Sequence, residues 1–424
     1  MAIIKIRNAA IDLDAAEIPN LPATKITSGT LDNARISLDA AEIPNLDTAK
    51  ITTGTLADAR LPANALNSNV SVPNQSAFKN IIINGDMTIA QRATSKTGIT
   101  NDGYYTVDRF SHENGSFGTW TQSQASDAPT GQGFTYSLKM DCTTAQTSPS
   151  SSSVLLVGQS IEGFMLQPIK QGTTNAESTT LSFWHKHTKT GTNIVELLDA
   201  DNANAVSGSY TQSVSDTWEK ATITFPANTS GTYDNDKNRS LRIRFIMGAG
   251  TDLTSGTLAT TWQTSVTNAN RYVGQVNNAD STSNNFIITG VQYEVGTSAS
   301  DFEFLPVDVN LRRCHRYLFT LTSPSGQGRF GSGGFFSTTE ADTIVSLPVE
   351  MRTTYSMSYS SLSHFRLTSH TAASALSSLA LETSRVLNAA DLRATASTAI
   401  GTAGNYALLY TNGSSSKMFF DSEL

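Results

Sequence analysis

The chain has 424 residues, of which 38% are hydrophobic and 15% are charged, and its formal net charge is −7. This length predicts about two to four domains. The negative charge, without clusters of Lys and Arg among aromatic residues, excludes a typical nucleic-acid-binding protein, and the low charged fraction favours an all-β extracellular type of protein over a cytosolic helical enzyme.

Cysteines and apolar runs add two further expectations. Cys142 and Cys314 are the only cysteines, and we expect both to be free because two distant cysteines do not make a disulfide framework. Residues 1–6 lack the apolar run and cleavage motif of a signal peptide. No run of about 18 apolar residues occurs, so we expect no insertion into a membrane.

A repeat of 25 residues organises the N-terminal part of the chain. Residues 13–21 recur letter for letter as residues 38–46, and further matches continue to Leu61. A fixed period of this kind is the signature of a repeat architecture. Pro19 and Pro44 would interrupt any continuous helix or strand, so the unit is neither.

The aliphatic residues of the repeat are too widely spaced for one chain to close a core. Their intervals, mostly three or five residues, fit neither the helical nor the strand period. Three copies side by side would bring equivalent residues together around a shared axis. The pattern therefore predicts a homotrimeric shaft, with a duplicated disordered linker as the alternative. The predicted shaft core comprises Leu13, Ile18, Leu21, Ile26, Leu31, Ile36, Leu38, Ile43, Leu46, Ile51, Leu56 and Leu61.

These repeats resemble the thin shafts of bacteriophage tail fibres and related virion appendages. The similarity lies in Ile-Pro-Asn-Leu, then Lys-Ile-Thr and Gly-Thr-Leu, then Ala-Arg before an aliphatic residue, within residues 13–61. The resemblance implies a trimer without chemistry in its shaft. It also implies attachment to tail, baseplate or head proteins through the N-terminus, and a place in the virion after synthesis in the host cytoplasm.

Changes in composition divide the chain into five predicted segments. They are an N-terminal docking segment (1–12), the shaft repeats (13–61), a polar linker or neck (62–78), a jelly roll (79–309) and a C-terminal β-sandwich (310–424). Residues 372–400 are rich in Ala and Leu, but their Ser and Thr content favours strands with loops over a helix. The predicted fold class is therefore all-β.

The prediction of a jelly roll rests on short β-type runs separated by Gly, Asn, Asp and Ser clusters. Residues 80–87 and 288–296 resemble the opening and closing strands of carbohydrate-binding jelly-roll modules. Residues 347–354 and 418–424 resemble the small β-sandwich that follows the jelly roll in many phage fibres. The predicted strands are 81–83, 134–140, 154–157, 180–187, 193–198, 218–225, 241–247 and 286–295.

Exposed aromatic faces are the usual platforms for sugars, because rings stack and nearby polar groups bind the hydroxyls. Trp218 precedes an alternation of Ala221, Ile223 and Phe225, so we expect it in the core. Other aromatic residues lie in polar or alternating surroundings, with packing or a trimer interface as the alternative for each. The candidates for glycan contact are Trp120, Trp184, Trp262, Tyr104 and Tyr105.

Two pairs of residues are candidates for binding a metal. His185 and His187 point to the same side of one predicted strand, although a metal there is the less favoured interpretation. The resemblance to jelly-roll modules implies a possible structural Ca²⁺ near the first and last strands, for which Asp86 and Glu294 are the candidate ligands. Solvated or salt-bridged carboxylates are the alternative.

Signals for catalysis are weak. Residues 331–334, Gly-Ser-Gly-Gly, lack the Lys of a phosphate loop. Glu196, Asp199 and Asp201 could be paired acids for glycoside cleavage, but loop Asp residues near Asn are the default interpretation. We therefore expect that the protein is not an enzyme. The sequence predicts a virion fibre that recognises a host-surface polysaccharide through its C-terminal β domains. The alternatives are a structural head fibre, collar or decoration protein and, less favoured, a polysaccharide depolymerase.

Overall fold

The computed structural model of the protein describes residues 78–323, 328–382, 386–412 and 416–424. These residues form 22 strands and one α-helix, which confirms the all-β fold class. The predicted docking segment, the shaft with its core residues and the linker up to residue 77 lie outside the described residues. The trimeric shaft therefore stays a prediction. Within the described residues, no helix is long and apolar enough to span a membrane.

The larger β domain is built from thirteen strands. In chain order they are β1 (Ser95–Ile99), β2 (Gly103–Tyr104), β3 (Ser111–Asn114), β4 (Thr119–Ala125), β5 (Ser137–Thr144), β6 (Val154–Glu162), β7 (Thr179–His187), β8 (Gly191–Asp199), β9 (Asn204–Gln212), β10 (Glu219–Phe225), β11 (Arg239–Ala249), β12 (Gln263–Thr264) and β13 (Asn285–Val295). Short 3₁₀ turns follow β6, at Gly163–Met165 and Gln167–Ile169, and flank β12, at Thr251–Leu253 and Asn268–Asn270.

These strands form two antiparallel sheets with one core between them. The six-stranded sheet has the order β1-β4-β5-β13-β7-β10, and the seven-stranded sheet has the order β12-β9-β8-β11-β6-β3-β2. The last strand, β13, lies between β5 and β7, and such pairing of strands distant in the chain is typical of a jelly roll. Alternate residues point inward, so that Phe183 of β7 meets Phe245 of β11 with ring centroids 5.0 Å apart.

Seven of the eight predicted strands coincide with observed ones in whole or in part, and the exception is 81–83. This segment is a buried turn in which the Asn84 side chain bonds to the backbone of Ile89 and Asp108. The apolar run is buried by packing and does not pair as a strand. The sequence prediction missed six strands. β2 and β12 have only two residues each, and polar residues dominate β1, β3, β4 and β9 and mask their alternation.

The C-terminal part begins with helix α1 (Val307–His315), which the sequence analysis did not predict. Pro306 before the helix, Asp308 in its first turn and basic residues in its last turn are ordinary helix-end signals. Nine strands follow: β14 (Leu318–Ser323), β15 (Arg329–Phe335), β16 (Glu340–Ser346), β17 (Ser356–Tyr359), β18 (Phe365–Thr368), β19 (Ala373–Leu381), β20 (Ala389–Ala396), β21 (Tyr406–Thr411) and β22 (Ser416–Asp421), with a 3₁₀ turn at Leu362–His364.

Six of these strands close into a barrel in the order β15-β16-β20-β19-β18-β21, beside a three-stranded sheet, β14-β22-β17. The sequence predicts a small β-sandwich here, and the structure has a closed barrel beside the three-stranded sheet. Closure pairs the edge strands that a sandwich would leave free. Residues 372–400 form β19 and β20, as predicted, rather than a helix.

Helix α1 and the last residues of the chain join the barrel to the jelly roll. Cys314 and Tyr317 are buried against Ile83 and Ile89. Glu423 forms an ion pair with the buried Arg109 of the jelly roll. Both cysteines are buried free thiols, and burial raises the pKa of Cys142 to about 11.

Candidate functional site

Trp120 does not reach the surface, so its assignment as a glycan contact is wrong. Its side chain is completely buried, and its indole Nε1 donates to the carbonyl of Phe117 at 2.8 Å. On β4 the polar residues Thr119 and Thr121 point outward, which turns Trp120 toward the core. The polar neighbours that suggested exposure are the residues that alternate with it.

Three other predicted candidates are partly buried and already engaged. The Nε1 of Trp262 donates to Pro226 O at 2.8 Å, while its ring packs on the core. The hydroxyl of Tyr104 donates to Leu424 O at 2.9 Å. The hydroxyl of Tyr105 donates to Asn101 O at 2.8 Å. These contacts favour a packing role for all three.

Trp184 lies on the outer face of the six-stranded sheet. Along β7, Phe183 and His185 point into the core, while Trp184 and Lys186 alternate with them and are partly exposed. The indole N–H of Trp184 has no hydrogen-bond partner within the described residues. Among the predicted aromatic candidates, this residue alone combines a sheet surface with a polar atom left unused.

Pairing of β7 with β10 brings a second tryptophan to this face. Trp184 lies opposite Lys220 in the antiparallel register, and the same register places Trp218 opposite Lys186. Trp218 is only partly buried, so our expectation of a core position was wrong. Trp218 lies three residues before Ala221, so strand alternation places the two side chains on opposite faces. This signal was present in the sequence. We call Trp184, Lys186, Trp218 and Lys220 the tryptophan–lysine face.

One carboxylate organises this face. The Nε1 of Trp218 donates to Asp127 Oδ1 at 3.1 Å, and the Lys186 ammonium lies 2.9 Å from Asp127 Oδ2. The second carboxylate, Asp216, lies 3.3 Å from the same ammonium. Asp127 therefore holds both the indole N–H of Trp218 and the ammonium group of Lys186 in position.

Near neutral pH the charged forms of Lys186 and Asp127 are favoured. Burial alone would lower the pKa of Lys186, but the hydrogen bonds and charges of Asp127 and Asp216 outweigh it and raise that pKa. Burial would raise the pKa of Asp127, but hydrogen bonds from Lys186 and Trp218 outweigh it and lower that pKa. Lys220 is exposed and has no ion-pair partner among the described residues.

Such a surface can bind a sugar ring. A planar indole offers a stacking surface for the apolar face of a pyranose, and the neighbouring ammonium, carboxylate and hydroxyl groups can bind its hydroxyls. Thr222 and Thr224 on β10 extend the same exposed face. Alternation along β7 already places Lys186 on the same face as Trp184. Sequence reasoning missed Lys220 and Asp127, because only the pairing of β7 with β10 and the path of the segment between β4 and β5 bring them beside the tryptophans.

The structure does not bring the two predicted calcium ligands into a shared site. Asp86 accepts hydrogen bonds from Thr88 Oγ1 at 2.5 Å and from Asn310 Nδ2 at 3.1 Å. Glu294 accepts hydrogen bonds from Ser300 N at 2.9 Å and from Ser300 Oγ at 2.6 Å. No cluster of three or more His, Cys, Asp or Glu side chains suited to a metal occurs in the described ranges.

His185 and His187 do share one side of β7, but that side is the core. His185 Nδ1 pairs with Gln212 Oε1 at 2.8 Å, and His187 Nε2 pairs with Tyr210 Oη at 2.9 Å. Burial lowers the pKa of both imidazoles. These partners occupy one ring nitrogen of each imidazole, and both side chains are buried, so the pair is a core element rather than a metal site.

The carboxylates considered for glycoside cleavage are tied into the fold. Arg271 Nη2 approaches Glu196 Oε2 at 2.7 Å, and Asp199 accepts a hydrogen bond from Gln171 Nε2 at 2.7 Å. Asp201 accepts a backbone hydrogen bond from Asp234 at 2.9 Å. These partners give each carboxylate a structural role.

Weak structural likenesses accompany this geometry. The enzymatically active domain of tailspike protein 4 from bacteriophage CBA120 aligns with 52% of this chain at 15% identity and a TM-score of 0.27, and the chain spans 22% of it. TmCBM61, solved with β-1,4-galactotriose, aligns with 52% of this chain and 99% of its own at 10% identity and a TM-score of 0.25.

The CBM22-1–GH10 modules of xylanase 10B from Clostridium thermocellum, solved with xylohexaose, align with 52% of this chain at 13% identity and a TM-score of 0.25. The chain spans 29% of that protein. No protein-family model matches the sequence, and no curated protein matches it. Likenesses at these TM-scores do not assign a function, so the jelly roll is assigned from the strand order described above.

Proposed function

We propose that the protein is a homotrimeric fibre protein of a bacteriophage virion that binds a host-surface glycan through its C-terminal β domains. The observation that carries the glycan-binding part is the tryptophan–lysine face, where two partly exposed indoles alternate with two ammonium groups on one flat sheet surface. The 25-residue repeat of the N-terminal part supports the fibre. Attachment to tail, baseplate or head proteins is assigned to the N-terminal region.

Binding at this face is expected to be weak for one copy and strong for the assembly. A single open sheet surface buries only part of a sugar chain, so its affinity rests on a few stacking and hydrogen-bonding contacts. Three copies on one shaft make the second and third contacts intramolecular, which can raise avidity by roughly 10²–10⁴-fold. The Lys186–Asp127–Trp218 contacts hold the face in place before the ligand arrives.

A structural head fibre, collar or decoration protein is the second candidate. It is favoured by one observation, the use of Trp120, Trp262, Tyr104 and Tyr105 for internal packing. A depolymerase is less favoured, since Arg271 and Gln171 already hold two of the candidate carboxylates.

The test is competition for adsorption between the purified full-length trimer and the phage. We expect the wild-type protein to coat host cells and to slow phage adsorption in a dose-dependent way. Trp184→Ala and Trp218→Ala should each weaken competition by about tenfold or more, as for aromatic hot spots. The matched control is Tyr406→Ala, which removes a 55% exposed aromatic residue from the barrel and should leave competition unchanged.

Three outcomes would be informative against the proposal. A folded trimer that neither binds cells nor delays adsorption would favour the structural role. Equal loss in Trp184→Ala and Tyr406→Ala would remove the assignment to the tryptophan–lysine face. Release of reducing ends from host polysaccharide would identify a depolymerase.

A further inference from the structure

A cavity of about 470 Å³ lies at another part of the jelly roll, where residues 78–81 pass beside the end of β13 and Arg313 approaches from the last turn of α1. Apolar side chains, among them Ile81, Met165 and Val295, form much of its wall. Its volume is within the usual range for small-molecule sites. We call it the Arg313 cavity, after the guanidinium that borders it.

The acidic residues of this cavity are already occupied. The carboxylate of Glu177 lies 2.8 Å from the ammonium of Lys170. Glu294 accepts hydrogen bonds from Ser300 and from Gln292. Neither carboxylate is paired with Arg313, so the negative charges of the wall do not neutralise it.

The cations Arg313 and Lys79 have no acidic partner within the described residues. Arg313 makes one hydrogen bond, from Nη2 to Asn80 O at 3.3 Å, although a guanidinium carries five N–H donors. The negative charge of Glu303 also acts on Arg313. Its carboxylate, however, already accepts hydrogen bonds from the backbone N–H groups of Phe78 and Asn80. Burial lowers the pKa of Arg313, in line with the absence of an ion-pair partner for its guanidinium among the described residues.

The chain just before the cavity offers no neutralising group. Residues 62–77 contain neither Asp nor Glu. Arg313 and Lys79 are partly buried, and a charge withdrawn from water is stabilised by pairing, so an anion from outside the chain would satisfy both cations. The apolar wall favours an anion with a body over a bare ion, because a small inorganic anion would leave that wall exposed to water.

We propose that the Arg313 cavity binds a sugar that carries a carboxylate, with the carboxylate between Arg313 and Lys79 and an apolar face of the ring against Ile81, Met165 and Val295. Arg313 is suited to this role because its planar fork matches a carboxylate with two parallel hydrogen bonds. The site is separate from the tryptophan–lysine face. It goes beyond the proposed function, and either site can fail without the other.

The experiment is calorimetric titration of the full chain with methyl β-D-glucuronide and, as control, methyl β-D-glucoside. The two ligands differ only in whether C6 is a carboxylate or a hydroxymethyl group. We expect the glucuronide to bind at least about tenfold more tightly, since charge-assisted hydrogen bonds are the stronger ones. Its affinity should fall as salt concentration rises.

Variants assign the contact to its residues. Arg313→Gln and Lys79→Gln should each weaken glucuronide binding by at least about tenfold, and Arg313→Lys should restore part of it. Lys96→Gln removes an exposed lysine on β1 and should leave glucuronide binding unchanged. If Arg313→Gln does not fold, the surface substitution Lys79→Gln decides the question.

Several results would overturn the proposal. These are equal affinity for the two sugars, no binding of either, or unchanged binding in both charge-removing variants. Competition by inorganic phosphate at the same concentration as the glucuronide would overturn the assignment to a sugar. Loss of glucuronide binding in Trp184→Ala would place the contact on the tryptophan–lysine face instead.

Discussion

The outer faces of the two jelly-roll sheets carry similar kinds of residue in opposite environments. On the seven-stranded sheet, Ile194 and Ile246 are covered by Leu253 and Tyr272 from the segment between β11 and β13. The charges beneath that cover are closely paired. On the six-stranded sheet, the segment between β4 and β5 brings Asp127 onto the face, but Trp184 stays partly exposed. The neighbouring Lys220 is exposed and unpaired within the described residues.

Glu196 shows what the cover does. It is completely buried and faces Arg271 at 2.7 Å, Arg244 at 3.2 Å and the Tyr272 hydroxyl at 3.1 Å. A buried carboxylate with these partners holds the fold together and is unavailable to a ligand. The same alternation along a strand therefore produces structural charges where a segment covers the sheet completely and available charges where the sheet surface stays exposed.

The largest effect is expected from Glu196→Gln. The substitution keeps the shape but leaves Arg271 without its carboxylate and Arg244 with Glu113 alone, which should cost roughly 3–5 kcal/mol of unfolding free energy. Urea unfolding measured against wild type checks the value. A loss below about 1 kcal/mol would mean that the covered face behaves like an open one, and the comparison would fail.

A smaller effect is expected from acid, through His112 on the inner side of the seven-stranded sheet. This imidazole is completely buried, and burial lowers its pKa to about 4. As pH falls through about 6.5, the imidazole takes up its proton in the unfolded chain before it does so in the folded chain. The unfolding free energy should therefore decrease between about pH 6.5 and about pH 4, by an amount on the order of 2–3 kcal/mol.

His112→Phe isolates this contribution from the other titrating groups. Unfolding free energies at pH 7 and pH 4.5 should differ less in the variant than in wild type. His364→Phe serves as the control, because that imidazole lies in a turn outside the core. Identical pH slopes in wild type and His112→Phe would exclude a buried neutral histidine at this position.

The smallest effect on stability is expected from Asp127→Asn on the open face. Its 2.9 Å ion pair with Lys186 is partly exposed, and such pairs contribute less than about 1 kcal/mol. Binding should suffer more than stability, because Lys186 and Trp218 lose their shared anchor. Urea unfolding and the adsorption competition measured on the same variant test this. A destabilisation as large as that of Glu196→Gln would contradict the comparison.

Trp120 and Trp218 show how far strand alternation can be used. Trp218 and Ala221 have opposite parity, so the outward position of Trp218 could have been predicted from the pattern already noted. Trp120 lies in β4, where the residues on both sides are small and polar. Alternation there separates two faces but does not say which one meets the core, and only the packing of β4 against β5 and the opposite sheet decides that.

The sequence alone determined the all-β class, most of the jelly-roll strands and the N-terminal repeat, because each follows from a pattern of residues that are close together in the chain. Barrel closure, the cover over Glu196 and the Arg313 cavity depend on residues far apart in sequence. Arg313 reaches Asn80 across 233 positions. No local pattern encodes such a meeting, since which surfaces become covered or left open is decided only when the sheets and loops pack together.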